Sequence, residues 1–428
     1  MFNVSRSSVR SRSRLNVSTS GQSNGQRRHK PDHWILINTL LLLVIGLVLI
    51  YSISSALADT SGTSANYFIF KQLLAVGLAL VAFFITAKVP LSRWRKHYKL
   101  LMGVAILATL VAIALPVNPS YPAHRWVRFA GLSFESVEML IFAILIWFAH
   151  FLANRIKTNT VRSFSQTVRP ILAALLVIGG IVAIIQSDLG STGVIIAMMG
   201  IMIFVAGMPM KRIAIFAALV AGLGIVAILA FPYRMARLET FLHPSANCQS
   251  TGYQACQALI AVGSGGVSGL GLGSDVQAYG YLPEADNDSI FAIYAEKFGF
   301  IGSVLLLVVF ASLFWRIAKV AEGAPDDFSR LIVVGVLTWI STETLINIGA
   351  MIGLLPLKGI TLPFISYGGT SVVFFAAAIG LVYQVSRYTS HVSSRSIEHL
   401  NRRAGINDYS SHRRRIGGTY NPNLSGRS

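Results

Sequence analysis

The chain has 428 residues, 54% hydrophobic and only 12% charged, with a formal net charge of +19. So apolar a composition excludes a soluble globular domain, and the charge does not by itself make a nucleic-acid binder, because it sits mainly in the tails. Residues 1–33 hold seven Lys/Arg against one Asp, and residues 387–428 hold eight Arg against two acids.

In chain order, the first 33 residues are rich in Ser, Asn, Gly and Arg without apolar periodicity, and so are residues 389–428. Both read as disordered basic tails that fix topology and touch anionic membrane lipids, with no nucleic acid implied. Between them lie ten hydrophobic runs, at 34–55, 67–89, 98–116, 133–154, 169–186, 190–208, 211–232, 289–315, 330–355 and 369–388. Each is near the ~20 residues a helix needs to cross a bilayer. They lack the alternation of barrel strands, so the expected fold class is an all-α polytopic bundle of ten transmembrane helices spanning 34–388. The first run follows a long polar tail, which makes it a poor cleaved signal. Arg93, Arg95, Lys96, Arg155, Lys157, Arg162, Lys211, Arg212, Arg316, Lys319 and Arg330 fall in alternate connections. With two basic tails, the positive-inside rule puts both termini in the cytoplasm and the long loop 233–288 outside.

Ionisable groups in or beside such runs are costly and point to function. Arg125 and Arg128 precede Glu135 and Glu138, which begin the fourth run one helical turn apart. Asp188 lies in the hairpin between runs five and six, and Glu343 and Asn347 share a face of the ninth. For Glu343 and Asn347 an interhelical hydrogen bond is as good a reading as a site. Both cysteines, Cys248 and Cys256, fall in the long loop, where a disulfide and a small buried residue are equally acceptable readings. Gly263–Gly273 lacks the Lys-Ser/Thr ending of a phosphate-binding loop, and is expected to be a turn where backbones pack closely. Thr361–Thr370 is an apolar loop expected to dip into the membrane edge. The densest feature is Tyr281-Leu-Pro-Glu-Ala-Asp-Asn-Asp-Ser-Ile-Phe-Ala292, with Glu284, Asp286 and Asp288 where the polar loop meets an apolar helix. Arg125, Glu138 and Asp188 are expected at the same level as Asp288, and convergence of that kind is what a site needs.

These strings resemble the shape, elongation, division and sporulation (SEDS) family over about residues 34–388. The resemblance rests on Tyr51-Ser-Ile-Ser, Gln186-Ser-Asp-Leu-Gly, Tyr233-Arg-Met-Ala-Arg-Leu and Gly252-Tyr-Gln-Ala-Cys-Gln257. It continues through Leu282-Pro-Glu-Ala, Asn347-Ile-Gly and Leu362-Pro-Phe-Ile-Ser-Tyr-Gly-Gly. Gly269-Leu-Gly-Leu-Gly-Ser-Asp-Val-Gln and Leu355-Pro-Leu-Lys-Gly-Ile-Thr-Leu-Pro look more like the division branch than the elongation branch.

The resemblance implies a peptidoglycan glycosyltransferase that polymerises lipid II, an undecaprenyl-pyrophosphate-linked disaccharide pentapeptide. It acts on the outer face of the bacterial cytoplasmic membrane, at the division septum. It also implies a class B penicillin-binding protein as transpeptidase partner, among other division proteins. In the family's Leu-Pro-Glu-x-x-x-Asp the last residue, here Asp288, is the catalytic carboxylate. A sugar hydroxyl must lose a proton as it attacks an anomeric carbon, and a positioned carboxylate can take it. Glu284 and Asp286 are near enough in sequence to raise the pKa of Asp288 by repulsion. Arg125, Arg234 and Arg237 are the cations expected to meet the leaving pyrophosphate, with Glu138, Asp188, Gln257, Glu284 and Lys358 completing the substrate-binding set. No cofactor is demanded, although Mg²⁺ or Mn²⁺ on Asp286 and Asp288 is chemically admissible. Two departures stand out: Ile141 replaces the family's Lys three residues after Glu138, and Ala295-Glu-Lys-Phe-Gly replaces Ala-Glu-Glu-Leu-Gly. Arg125 or Lys358 would then supply the lost cation. Two other function classes fit ten helices with intramembrane charge: a lipid II flippase and a non-catalytic division scaffold.

Overall fold

The computed structural model describes residues 26–28, 30–115, 126–129, 132–243, 248–250, 252–273 and 276–390. The expectations for the two tails fall almost entirely outside these residues, and so does Arg125. One unit, Arg28–Thr389, contains all the helices described below.

Apolar runs with no partner for their backbone other than themselves become helices. Among the described residues, eight helical segments are long and apolar enough to cross a membrane. They are α1 (His33–Ser61), α2 (Ala65–Lys88), α3 (Leu91–Ala114), α4 (Ser136–Lys157), the segment Phe164–Ile185 built around α5 (Arg169–Gly180), α7 (Met210–Leu229), α10 (Ile290–Glu322) and α11 (Asp327–Met351). Two shorter apolar helices, α6 (Leu189–Val205) and α12 (Gly369–Val385), complete the set of predicted runs. By length and composition alone eight of these ten helices meet the requirement for a span. The long loop is not structureless, because it contains α8 (Pro232–Leu242), opened by a proline, and α9 (Tyr253–Ser264). A two-stranded hairpin, Trp126–Phe129 with Leu132–Glu135, leads into α4.

The helices differ sharply in burial. In their most apolar windows α4 is 78% buried and α11 72%, against 17% for α3 and 0% for α7. Helix α4 packs against α3, α6 and α11, and α12 lies along α2. The exposed Leu, Ile and Phe of α2, α3, α5 and α7 form the surface a bilayer would cover.

Two irregular segments enter this frame. The loop 352–368 turns back into the bundle, and Leu362, Phe364, Ile365 and Ser366 are each no more than 1% exposed. It reaches the middle of α1, where a Cβ on Gly46 would lie 2.8 Å from the Phe364 carbonyl. The expected dip at a membrane edge is therefore a buried plug. The second is the glycine-rich stretch after α9, which docks on a break in α10. Helix α10 is interrupted at Gly299 (φ 62°, ψ −161°). The carbonyls of Glu296 and Lys297 accept from Leu270 N (2.9 Å) and Gly271 N (3.0 Å), while Phe300 N donates to Gly266 O (2.9 Å). A Cβ on Gly269 would sit 2.1 Å from the Lys297 carbonyl, so the close backbone approach requires glycine there.

Candidate active site

The acidic loop is shaped by its own residues. Glu284 adopts a left-handed backbone (φ 52°), which is strained for a residue with a Cβ. Its carbonyl accepts from Asn287 N and Ser289 N, both at 3.0 Å, and its carboxylate accepts from the Asn287 amide at 3.3 Å. Glu284 therefore builds the turn that presents Asp288. The loop 352–368 braces it from behind: Tyr367 N donates to Asp286 O (2.7 Å) and Ser366 Oγ to Asn287 O (2.7 Å).

Asp288 ends the loop just before α10 and is buried, at 8% exposure. Its carbonyl accepts from Asn347 Nδ2 on α11 at 2.8 Å, and the same amide donates to Ile360 O at 2.7 Å. Asn347 thus resolves to an interhelical clamp that fixes both loops. The Asp288 carboxylate accepts from Gln254 Nε2 on α9 at 3.2 Å. Gln254 also reaches Ser289 Oγ (3.1 Å), whose hydroxyl donates to Pro283 O (2.9 Å). Asp286 is half-buried, and burial, reinforced by the neighbouring Glu284 charge, pushes its carboxyl up to about 6. Glu284 thus exerts on Asp286 the kind of repulsion expected at Asp288.

The cations gather on the α8 side. Arg237 Nη1 donates to Leu357 O at 3.4 Å, and Arg237 lines a cavity of about 190 Å³ with Thr240, Phe241, Gln254, Leu259 and Leu357. Lys358 is half-buried, and burial followed by the Arg237 and Arg234 charges lowers its pKa, with Asp188 opposing. Arg234 is committed to the fold: its guanidinium donates to the carbonyls of Ala183 and Ala227 and lies 4.4 Å from the Phe231 ring centre. The pyrophosphate contact expected of it would use the donors these carbonyls leave over.

A second group of acids lies among the buried helices. Asp188 caps α6, accepting from Ser191 N (3.0 Å) and Ser191 Oγ (2.7 Å). Glu135 accepts from Ser371 Oγ on α12 at 3.4 Å. Glu343, 2% exposed, accepts from Trp339 Nε1 at 2.6 Å and lies within electrostatic range of Glu138, Glu135 and Asp188. Ile141 is fully buried in the hydrophobic core, so the position the family gives to a lysine is filled here by packing. The other departure, Lys297, is buried too and donates to Ser52 Oγ of α1 at 2.7 Å.

Among the described residues, no three His, Cys, Asp or Glu side chains form a metal-ligand set. The loop cysteines are joined, Cys248 to Cys256. Two contributors escaped the sequence reading, Gln254 and Ser289. Gln257, singled out earlier, lies half-buried on the same helix, and Gln254 is the glutamine that reaches Asp288. The only hint was that Gln254 stands in the same conspicuous string.

Fold and site define a polytopic membrane protein with a fixed, buried carboxylate where re-entrant loops meet the ends of its innermost helices. A family model described as "Cell cycle protein", that of FtsW, RodA and SpoVE, matches residues 33–391. The chain is 37% identical over 371 residues to stage V sporulation protein E of Bacillus subtilis, covering 85% of this chain and 99% of that one. It is 34% identical over 363 residues to the probable peptidoglycan glycosyltransferase FtsW of Hydrogenovibrio crunogenus, covering 84% and 92%. Among solved structures, a chain of a peptidoglycan synthase complex that coordinates polymerization and crosslinking superposes with a TM-score of 0.69 at 24% identity, covering 83% and 98%. Thermus thermophilus RodA gives 0.61 at 22% identity, covering 83% and 97%. At those identities the structures establish the fold. The chain belongs to the FtsW/RodA/SpoVE family.

Proposed function

We propose that this chain is a peptidoglycan glycosyltransferase that polymerises lipid II with Asp288 as general base. The observation that carries the reading is a buried carboxylate pinned at its backbone by Asn347 and at its side chain by Gln254. An acceptor sugar hydroxyl attacks the anomeric carbon of a lipid-linked donor, and its proton passes to Asp288. The bond from that carbon to the pyrophosphate oxygen breaks, and lipid pyrophosphate departs. In this reading Arg237, which lines the cavity with Gln254, and Lys358, within electrostatic range of Arg237, neutralise the leaving group. A Lys held below its ordinary pKa by burial and by neighbouring guanidiniums gains most from an arriving anion. Holding the base in place before substrate arrives lowers the reorganisation needed at reaction.

In this reading the ten apolar helices all span, both termini are cytoplasmic, and α8, α9 and the acidic loop face outward, where lipid II is consumed. The same reading puts the chain in the bacterial cytoplasmic membrane, at the septum, beside a class B penicillin-binding protein and other division proteins; the glycosyltransferase names of relatives and a similar chain in a synthase complex that couples polymerization to crosslinking support its enzyme class and a crosslinking partner. One observation favours a second reading, transport of the same lipid. Helix α10 is broken about three turns below Asp288, beside buried Glu296 and Lys297, and broken helices with buried charge mark transporter sites. Incubating lipid II with the purified complex of this chain and its class B partner, beside the Asp288→Asn complex, separates the two. Glycan strands from wild type alone support the polymerase. Strands from both would remove Asp288 as base, and strands from neither, with lipid translocation intact in vesicles, would support transport.

A further inference from the structure

Helix α9, which supplies Gln254, is short and fixed at both ends by unusual means. Its far end runs into the glycine-rich stretch docked on the break of α10. Its near end begins after Gly252 without a side-chain cap. Uncapped first turns fray, and a 12-residue helix has little stability of its own. A covalent tie stands where the cap would be. Cys256, buried on the first turn, is bonded to Cys248, with Cα atoms 5.6 Å apart. Gln254 lies inside the closed loop, two residues from Cys256, and its amide bridges Asp288 Oδ1 (3.2 Å) and Ser289 Oγ (3.1 Å). Releasing the tie frees the turn that carries the donor.

We propose that the Cys248–Cys256 disulfide is a redox-sensitive positioning element that holds Gln254 on the general base. The assignment rests on the glycosyltransferase reading of Asp288. Oxidised, the bridge orders the first turn of α9. Reduced, it lets Gln254 leave the carboxylate, and the base loses a donor that orients it and favours its charged, proton-accepting form. Forming the bridge takes two electrons and two protons from the thiols. The acceptor is the disulfide of a dithiol oxidoreductase working on the face where the loop is exposed, which leaves as the dithiol. The chain is accordingly a client of that class of enzyme. Cys248, half-buried in the turn before α9, is the sulfur within reach.

The test uses the full chain with its class B partner and lipid II, before and after a phosphine reductant, with thiols counted by alkylation and mass. Reduction should lower kcat about ten- to a hundredfold with little change in KM, the size expected for one lost hydrogen bond to a charged group. It should also move the acid limb of the pH–rate profile to higher pH. The Cys248→Ser/Cys256→Ser protein should match the reduced wild type and ignore the reductant. Gln254→Ala should be equally slow and equally indifferent, and combining it with the serine changes should cost nothing further. An unchanged kcat with both thiols alkylated would overturn the proposal, and so would a Gln254→Ala protein that still slows on reduction. Hydrogen exchange keeps this test separate from the functional reading. Faster exchange of amides 256–259 on reduction supports the tie even if no glycan is made, and unchanged exchange refutes it.

Discussion

Helices α4 and α7 are both apolar and both about a bilayer long, yet they do opposite things. Helix α4 is 78% buried in its most apolar window and α7 0%. Helix α4 carries Glu138 into the acid group around Glu343, whereas α7 has its only charges, Lys211 and Arg212, in its first turn. In lipid, hydrophobicity does not distinguish a core helix from a peripheral one, because tails and core are equally apolar. What separates them is where polar groups can be satisfied. Helices α4, α11 and α12 offer partners to acids and amides, and the site lies where their ends meet the two loops.

That contrast can be broken or sharpened by mutation. The largest effect is expected at Asp288: Asp288→Asn should cut polymerisation at least about 100-fold while the protein keeps its fold and its thermal midpoint in detergent. Next comes Asn347→Ala, which strips the donor from two buried carbonyls and should cost about 1–3 kcal/mol of stability, read as a lower thermal midpoint with reduced activity. The arginines should divide by role. Arg237→Gln should slow polymerisation about tenfold at unchanged stability, whereas Arg234→Gln should lower the thermal midpoint first, because it orphans the carbonyls of Ala183 and Ala227. Should the two behave alike, the separation of cavity from scaffold fails.

Asp286 gives a pH signature. Its carboxyl rises from 3.8 to about 6 on folding, so between those values the folded chain holds a proton that the unfolded chain has lost. Stability from this group is therefore present below about pH 4 and declines as pH rises toward 6. Thermal midpoints of wild type and Asp286→Asn, measured from pH 4 to pH 7, should diverge over that window, the variant being the flatter. The smallest effect is expected on the lipid-facing helix, where Ile225→Leu should leave stability within about 0.5 kcal/mol.

Much of this was legible in the chain because membrane constraints write themselves locally. Apolar runs are contiguous, so each fell on a helix, and three acids at a helix start stand out against so apolar a background. The rest depends on contacts across long separations. Gln254 meets Asp288 34 positions later, and that meeting is set by the docking of the glycine-rich stretch on α10. Nothing in the sequence around Arg234 reveals that two helix-end carbonyls would engage it. Glu284 stood out for its charge, and its positive φ, visible only in three dimensions, adds a shaping role. Asn347 was ambiguous in sequence because an amide on a helix face suits a clamp and a site equally, and only its two carbonyl partners decide.

The most direct test of the central claim is to measure lipid II affinity and polymerisation rate side by side for wild type and Asp288→Asn, each in complex with the class B partner. A proton acceptor acts in the transition state and not in binding. The account expects affinity unchanged within about threefold and a rate lower by at least about 100-fold. Equal loss of both would make Asp288 a binding or folding residue, and loss of neither would place the base elsewhere.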